Sequence, residues 1–189
     1  MINGARSGGF LLWVLLAPYI SLAGEFFVDM TVSINSAPSG ILPKQAIDGL
    51  IADGHVMADT PFADGQVQPA SLDLRLGTKA YRLRASFLPG DRTVAQCLGG
   101  EDAGRLVMHE IDLTAGAVLE TGCVYLVELQ EALNLPAGVS AAANPKSSTG
   151  RLDVFTRVIT DHASAFDHID AGYSGPLYVE IAPRTFSVL

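Results

Sequence analysis

"IDAGYSGPLYVEI", residues 169–181, runs from a turn-rich segment straight into an alternating one, and its reading decides the fold. Successive side chains of an extended strand point to opposite faces, so Leu177, Val179 and Ile181 share one face and Tyr178 and Glu180 the other. A carboxylate in so aliphatic a strand is either solvated or set to work. The pattern alone favours a solvated Glu180 on an outer face; the functional reading requires burial, which tunes a carboxylate for accepting and returning a proton.

The same kind of short run recurs upstream, in "SLDLRLG" (71–77), "KAYRLRASF" (79–87), "AVLETGCVYLVEL" (117–129), "SAAANP" (140–145) and "DVFTRVIT" (153–160). Gly, Pro, Asp and Asn separate these runs, and many short strands with turn signals between them indicate an all-β barrel or sandwich. Ahead of them "LPKQAIDGLIAD" (42–53) has Pro near its first turn and Ala46, Ile47, Leu50 and Ile51 at helical spacing, with Gly54 to stop it. The final "APRTFSVL" (182–189) reads as a strand that begins without a closing turn, which suggests truncation.

At 189 residues, 49% hydrophobic and 17% charged, the chain suits one globular domain. A net charge of -8 argues against a general nucleic-acid binder, which needs a basic surface, but not against a single nucleotide met by a few local cations. Cys97 and Cys123 can pair in an oxidising compartment, yet Cys123 lies in the apolar run "CVYLVEL", and packing as a small buried residue is the favoured reading. No CxxC or HExxH is present, and His109-Glu110 has no second histidine one turn on, so a zinc site has no support.

The first segment differs in composition. Arg6 precedes an apolar run from Phe10 to Ile20, with small residues Ser21 and Ala23 after it, in the manner of an export signal. The run falls short of the roughly 20 apolar residues of a membrane span, and Pro18 and Glu25 interrupt it. A third reading takes Met30 as the start and residues 1–29 as a spurious upstream extension, leaving 30–189 as the domain.

Between two apolar runs, "NPKSSTGRLD" (144–153) gathers Lys146, Ser147, Ser148, Thr149, Gly150 and Arg151, the hydroxyls, cations and close backbone that an anion such as phosphate needs. The order is not that of the GxxxxGK[ST] loop, and composition alone favours a solvated turn. Asp73 and Arg75 alternate with leucines as a solvent-facing ion pair would. His162 and His168 read as surface residues, and no GxSxG or Cys-His pairing supports covalent hydrolysis.

Taken together, "QPASLDLRLG" (68–77), "KSSTGR" (146–151) and "HIDAGYSGPLYVEI" (168–181) resemble, in sequence and order, the dCTP deaminase family, which shares its fold with the trimeric dUTPases. The chain looks like the first half of the longer, duplicated members. The resemblance implies a mainly β fold, a dUTPase-like distorted jelly-roll or β-clip barrel with a short amphipathic helix near its start. It implies conversion of dCTP to dUTP and ammonia, with Glu180 as the general base on the attacking water and no metal activating it.

On the same resemblance Ser147 helps hold the water and base, Arg151 orients the glutamate, and Ser148 contacts phosphate. Lys146 stands where the family usually has an arginine, so it would meet the triphosphate as a point charge without bidentate geometry. Tyr173 would pack against the sugar, and Asp170 matches both deaminases and dUTPases. The longer spacing between Arg151 and Asp170 implies an insertion such as "TDHASAF" (160–166) near the site. Also implied are Mg2+ accompanying the triphosphate, a homotrimer or duplicated pseudo-trimer with sites between subunits, and a cytoplasmic location. A dUTP pyrophosphatase or bifunctional enzyme is the alternative, then a silent nucleotide-binding or assembly domain, then an exported β-domain.

Overall fold

The computed structural model describes residues 12–18, 40–100 and 103–189. In chain order its elements are β1 (Leu12–Pro18), α1 (Lys44–Ala52), β2 (Val56–Ala58), β3 (Leu72–Leu74), β4 (Leu76–Leu83), α2 (Val94–Gly99) and α3 (Ala103–Leu106). There follow β5 (Val107–Asp112), β6 (Val124–Asn134), β7 (Val139–Pro145), α4 (Ser147–Arg151), β8 (Val154–Thr160), β9 (His168–Ile169) and β10 (Ser174–Pro183). The fold is mainly β, and its strand pairs are antiparallel.

The larger sheet has the order β5-β4-β6-β10-β8, with β2 beside β6; the smaller has the order β3-β1-β7-β9. Its long inner strands are the apolar runs of the sequence, and β10 lies between β6 and β8, so both of its edges are hydrogen-bonded. The α1 helix forms as its spacing predicts: Ile47 is fully buried, Leu50 and Ile51 pack on the core, and Gly54, at a φ of +74°, turns the chain towards β2. The "NPKSSTGRLD" loop, by contrast, winds into the short helix α4.

Alternation in β10 does not separate core from solvent. Leu177, Val179 and Ile181 enter the main core with Tyr125, Val127 and Val158. Tyr178 enters a second apolar cluster with Leu83, Val94, Leu126 and Ile159, over which Phe87, Leu98, Leu106 and Phe166 pack. Both faces of the sheet are therefore covered here, and each aliphatic side chain removed from water contributes about 1.5–3 kcal/mol. The second cover comes from α2, α3 and the 160–166 segment; α2 is fixed by a Thr93–Gln96 capping box and by Asp161, whose Oδ1 accepts from Val94 N at 2.7 Å.

Part of the signal-like run is a strand. β1 pairs with β7 over seven positions, from Leu12 opposite Pro145 to Pro18 opposite Val139, and with β3 through Leu12, Trp13 and Val14. The export-signal features at Arg6, Ser21 and Ala23 and the alternative start at Met30 lie outside the described residues. Among the described residues no helix is long and apolar enough to cross a membrane. Both cysteines are free: Cys97 is buried in α2, and the partly buried Cys123 Sγ accepts from Arg82 Nη2 at 2.9 Å. The final "APRTFSVL" is divided, its first residues completing β10 and Val188 forming a bridge to Leu119.

Candidate functional site

Glu180 is buried, at 2% exposure, so the solvated reading of it fails. The cause is topological: it sits on an inner strand, opposite Leu126 of β6 and Arg157 of β8, on the face that the second cluster covers. Arg157 donates to Glu180 Oε1 through Nη2 at 2.5 Å and Nε at 3.2 Å. The same Nη2 donates to Ser86 Oγ at 2.8 Å, and the guanidinium carbon lies 3.7 Å from the centroid of the Phe166 ring and 5.1 Å from that of Phe155. Glu180 Oε2 is buried and has no hydrogen-bond partner among the described residues.

Such an orphan is uncommon, because a buried carboxylate oxygen without a donor forfeits its hydration. Here it leaves an acceptor lone pair open on a held carboxylate. Nearby, Asp167 accepts from Val158 N at 2.7 Å through Oδ1 in a left-handed backbone conformation (φ 60°). Burial pushes its carboxyl above the ordinary range; the Val158 hydrogen bond and Arg157 oppose that rise, and Glu180 adds to it.

The other sequence-expected residues fall into two further groups. Lys146, half-buried at the entrance to α4, donates to Asp73 Oδ2 at 2.5 Å; Asp73 is buried and its Oδ1 has no partner among the described residues. Ser147, Ser148 and Arg151 are exposed on α4, and among the described residues no hydrogen bond or ion pair joins them to Glu180. The guanidinium found on Glu180 is that of Arg157, six positions beyond the arginine expected to orient it. The physical reason is register: Arg157 is the direct cross-strand neighbour of Glu180, while Arg151 sits on a helix that ends before β8 begins.

Tyr173 and Asp170 share the turn before β10. Tyr173 Oη donates to Pro176 O at 2.6 Å and accepts from Asp161 N at 3.2 Å, and burial pushes its phenol up to about 12. Gly175 is required beside it, since an added Cβ would stand 2.7 Å from Tyr173 Oη. Asp170 is exposed and 3.2 Å from His168 Nε2, an ion pair only when the histidine is protonated.

Asp73 and Arg75, expected as a solvent-facing pair, are not paired with each other. Arg75 Nε donates to the fully buried Glu131 at 2.7 Å, and Asp73 takes Lys146. The reading of the residues passed over Arg157, Phe166, Asp167, Ser86 and Glu131. A signal for Arg157 did exist: it is the one charge within "VFTRVIT", at a position that alternates with Val158 as Glu180 does with Val179.

Residues 38–189 match the family described as the 2'-deoxycytidine 5'-triphosphate deaminase (DCD) N-terminal domain. A Methanoculleus marisnigri protein named "dCTP deaminase, dUMP-forming" is 33% identical over 145 residues, covering 75% of this chain and 68% of that one. A Halorubrum lacusprofundi protein named "dCTP deaminase" is 31% identical over 147 residues, covering 75% and 66%. Among solved structures, the 2'-deoxycytidine 5'-triphosphate deaminase from Agrobacterium tumefaciens superposes with a TM-score of 0.74 at 59% identity. That match covers 79% of this chain but 42% of the solved one, so the chain spans less than half of that relative's length.

Proposed function

The chain belongs to the dCTP deaminase family, and from that premise we propose that it carries the hydrolytic deamination of dCTP to dUTP and ammonia. The observation that carries the proposal is the buried carboxylate of Glu180, bound by Arg157 through one oxygen and without a partner among the described residues at the other. In this reading a water attacks C4 of cytosine while Glu180 takes its proton. Glu180 passes that proton to N3, and as the tetrahedral centre collapses the proton of the new C4 hydroxyl is carried to N4, the C4–N4 bond breaks, and ammonia leaves behind a C4 carbonyl and a protonated N3. Water supplies the oxygen and Glu180 returns the proton it took, so the group ends as it began.

The remaining residues supply binding. Lys146 and Ser148 are assigned to the triphosphate, which brings Mg2+ with it as part of the substrate, Ser147 to the water, and Tyr173 and Asp170 to the sugar side. Exposure of Ser147, Ser148 and Arg151 on α4, unconnected to Glu180 within one chain, supports a site shared between subunits, in a homotrimer or a duplicated pseudo-trimer. Arg151 would then approach a neighbour's glutamate. A triphosphate substrate favours the cytoplasm as the working compartment.

A second reading, release of dUMP, draws on relatives whose names include "dUMP-forming" and on the exposed Asp170 turn. Products decide the matter: the chain is incubated with dCTP and Mg2+ and the nucleotides are separated by anion exchange. The proposal expects dUTP with equimolar ammonia; dUMP with pyrophosphate supports the second reading. Binding of dCTP without any product would leave an assembly domain and refute both.

A further inference from the structure

We propose that Arg157 is the positioning residue of Glu180, locking Oε1 so that Oε2 alone is the proton-accepting atom. The inference rests on the deaminase reading. Three kinds of contact hold the guanidinium: the cross-strand carboxylate, the Ser86 hydroxyl, and the rings of Phe166 and Phe155. A planar ion gripped in this way cannot follow a rotating carboxylate, and its two contacts to one oxygen oppose such rotation. Oε2, buried and without a donor among the described residues, is then presented in one direction.

Phe166 and Asp167 extend the argument to the 160–166 segment. The Phe166 ring closes over Arg157, and the Asp167 carboxylate, hydrogen-bonded to Val158 N, adds a second negative charge near the guanidinium. Phe166, at the end of the 160–166 segment, thus covers the Arg157 guanidinium. The inference assigns the resting orientation of the base to a residue on the same sheet, whatever Arg151 contributes from α4.

The test compares wild type, Arg157→Lys and Arg157→Ala of the full chain by ammonia release over a range of dCTP, with melting temperature measured alongside. Arg157→Lys keeps a charge but loses the fork and the stacking, and kcat is expected to fall about 10²-fold, the effect of misplacing a catalytic group by about 1 Å. KM should stay within about threefold, since ground-state binding is untouched. Guanidinium at millimolar concentration should restore part of the kcat lost in Arg157→Ala, whereas sodium chloride of equal ionic strength should not. Full kcat in Arg157→Lys overturns the proposal. So does a loss of kcat that follows the melting temperature without guanidinium rescue, the mark of a purely structural role. If Arg157→Ala does not fold, the lysine variant decides alone. An inactive wild type refutes the deaminase reading and this inference together, whereas an active wild type with an unimpaired lysine variant refutes this inference only.

Discussion

Glu131 and Glu180 are the two most deeply buried carboxylates of the described chain, each faces an arginine, and they differ at the second oxygen. Glu131 Oε1 accepts from Arg75 Nε at 2.7 Å and Gln66 Nε2 at 2.8 Å, and its Oε2 accepts from Arg75 N at 2.7 Å. Arg75 in turn donates to Pro61 O and Thr60 O, so the network ties the 60–66 segment to the junction of β3 and β4. Glu180 has one oxygen on Arg157 and one without a partner among the described residues. A satisfied buried charge maintains architecture; a half-satisfied one keeps hydrogen-bonding capacity for something that arrives later. Asp73 stands between them, with Lys146 on Oδ2 and an Oδ1 unpartnered among the described residues.

The sharpest way to break this contrast is to make the same change at both glutamates. Glu131→Gln sets amide hydrogens against donors and leaves Arg75 unbalanced, and should lower unfolding free energy by about 3 kcal/mol in a urea titration. Should Glu180→Gln prove equally destabilising, the two sites are not different in kind. A smaller effect is expected of Gly175→Ala, whose Cβ must displace the Tyr173 hydroxyl from Pro176 O and Asp161 N: about 2 kcal/mol by the same titration. Smaller again, Asp73→Asn frees Lys146 while keeping the shape of the side chain, and should lower stability by about 1 kcal/mol.

The smallest effect is expected at Asp167 and depends on pH. Its folded pKa is raised by burial, so the folded state binds the proton more tightly than the unfolded state does, and stability falls as pH rises through the carboxylate range. Asn removes that penalty, still accepts from Val158 N, and tolerates the left-handed backbone. The melting temperature of Asp167→Asn should exceed wild type at pH 7, and the difference should vanish at pH 3. An advantage that persists at pH 3 would show that the backbone preference of asparagine, rather than charge, is responsible.

The strands and α1 were legible because period-two and helical apolar spacing follow directly from backbone geometry. The resemblance picked out Glu180 through its motif. Its burial was not legible, since a local alternation of Tyr178 and Glu180 with aliphatic residues looks the same whether the second face meets water or α2 and Phe166. Arg157 was missed for a related reason: its partner lies 23 residues away and is set by strand register, which no local pattern encodes. The segment Leu12–Pro18 was ambiguous in another way, because an apolar run that suits an export signal equally suits a strand between β3 and β7.

The most direct measurement is dCTP turnover by Glu180→Gln beside wild type, with circular dichroism and melting temperature as controls on the fold. The account predicts a folded variant that binds dCTP and releases ammonia at least about 10³-fold more slowly, as expected when the group that moves the proton is lost. A folded Glu180→Gln variant that deaminates at the wild-type rate would contradict it.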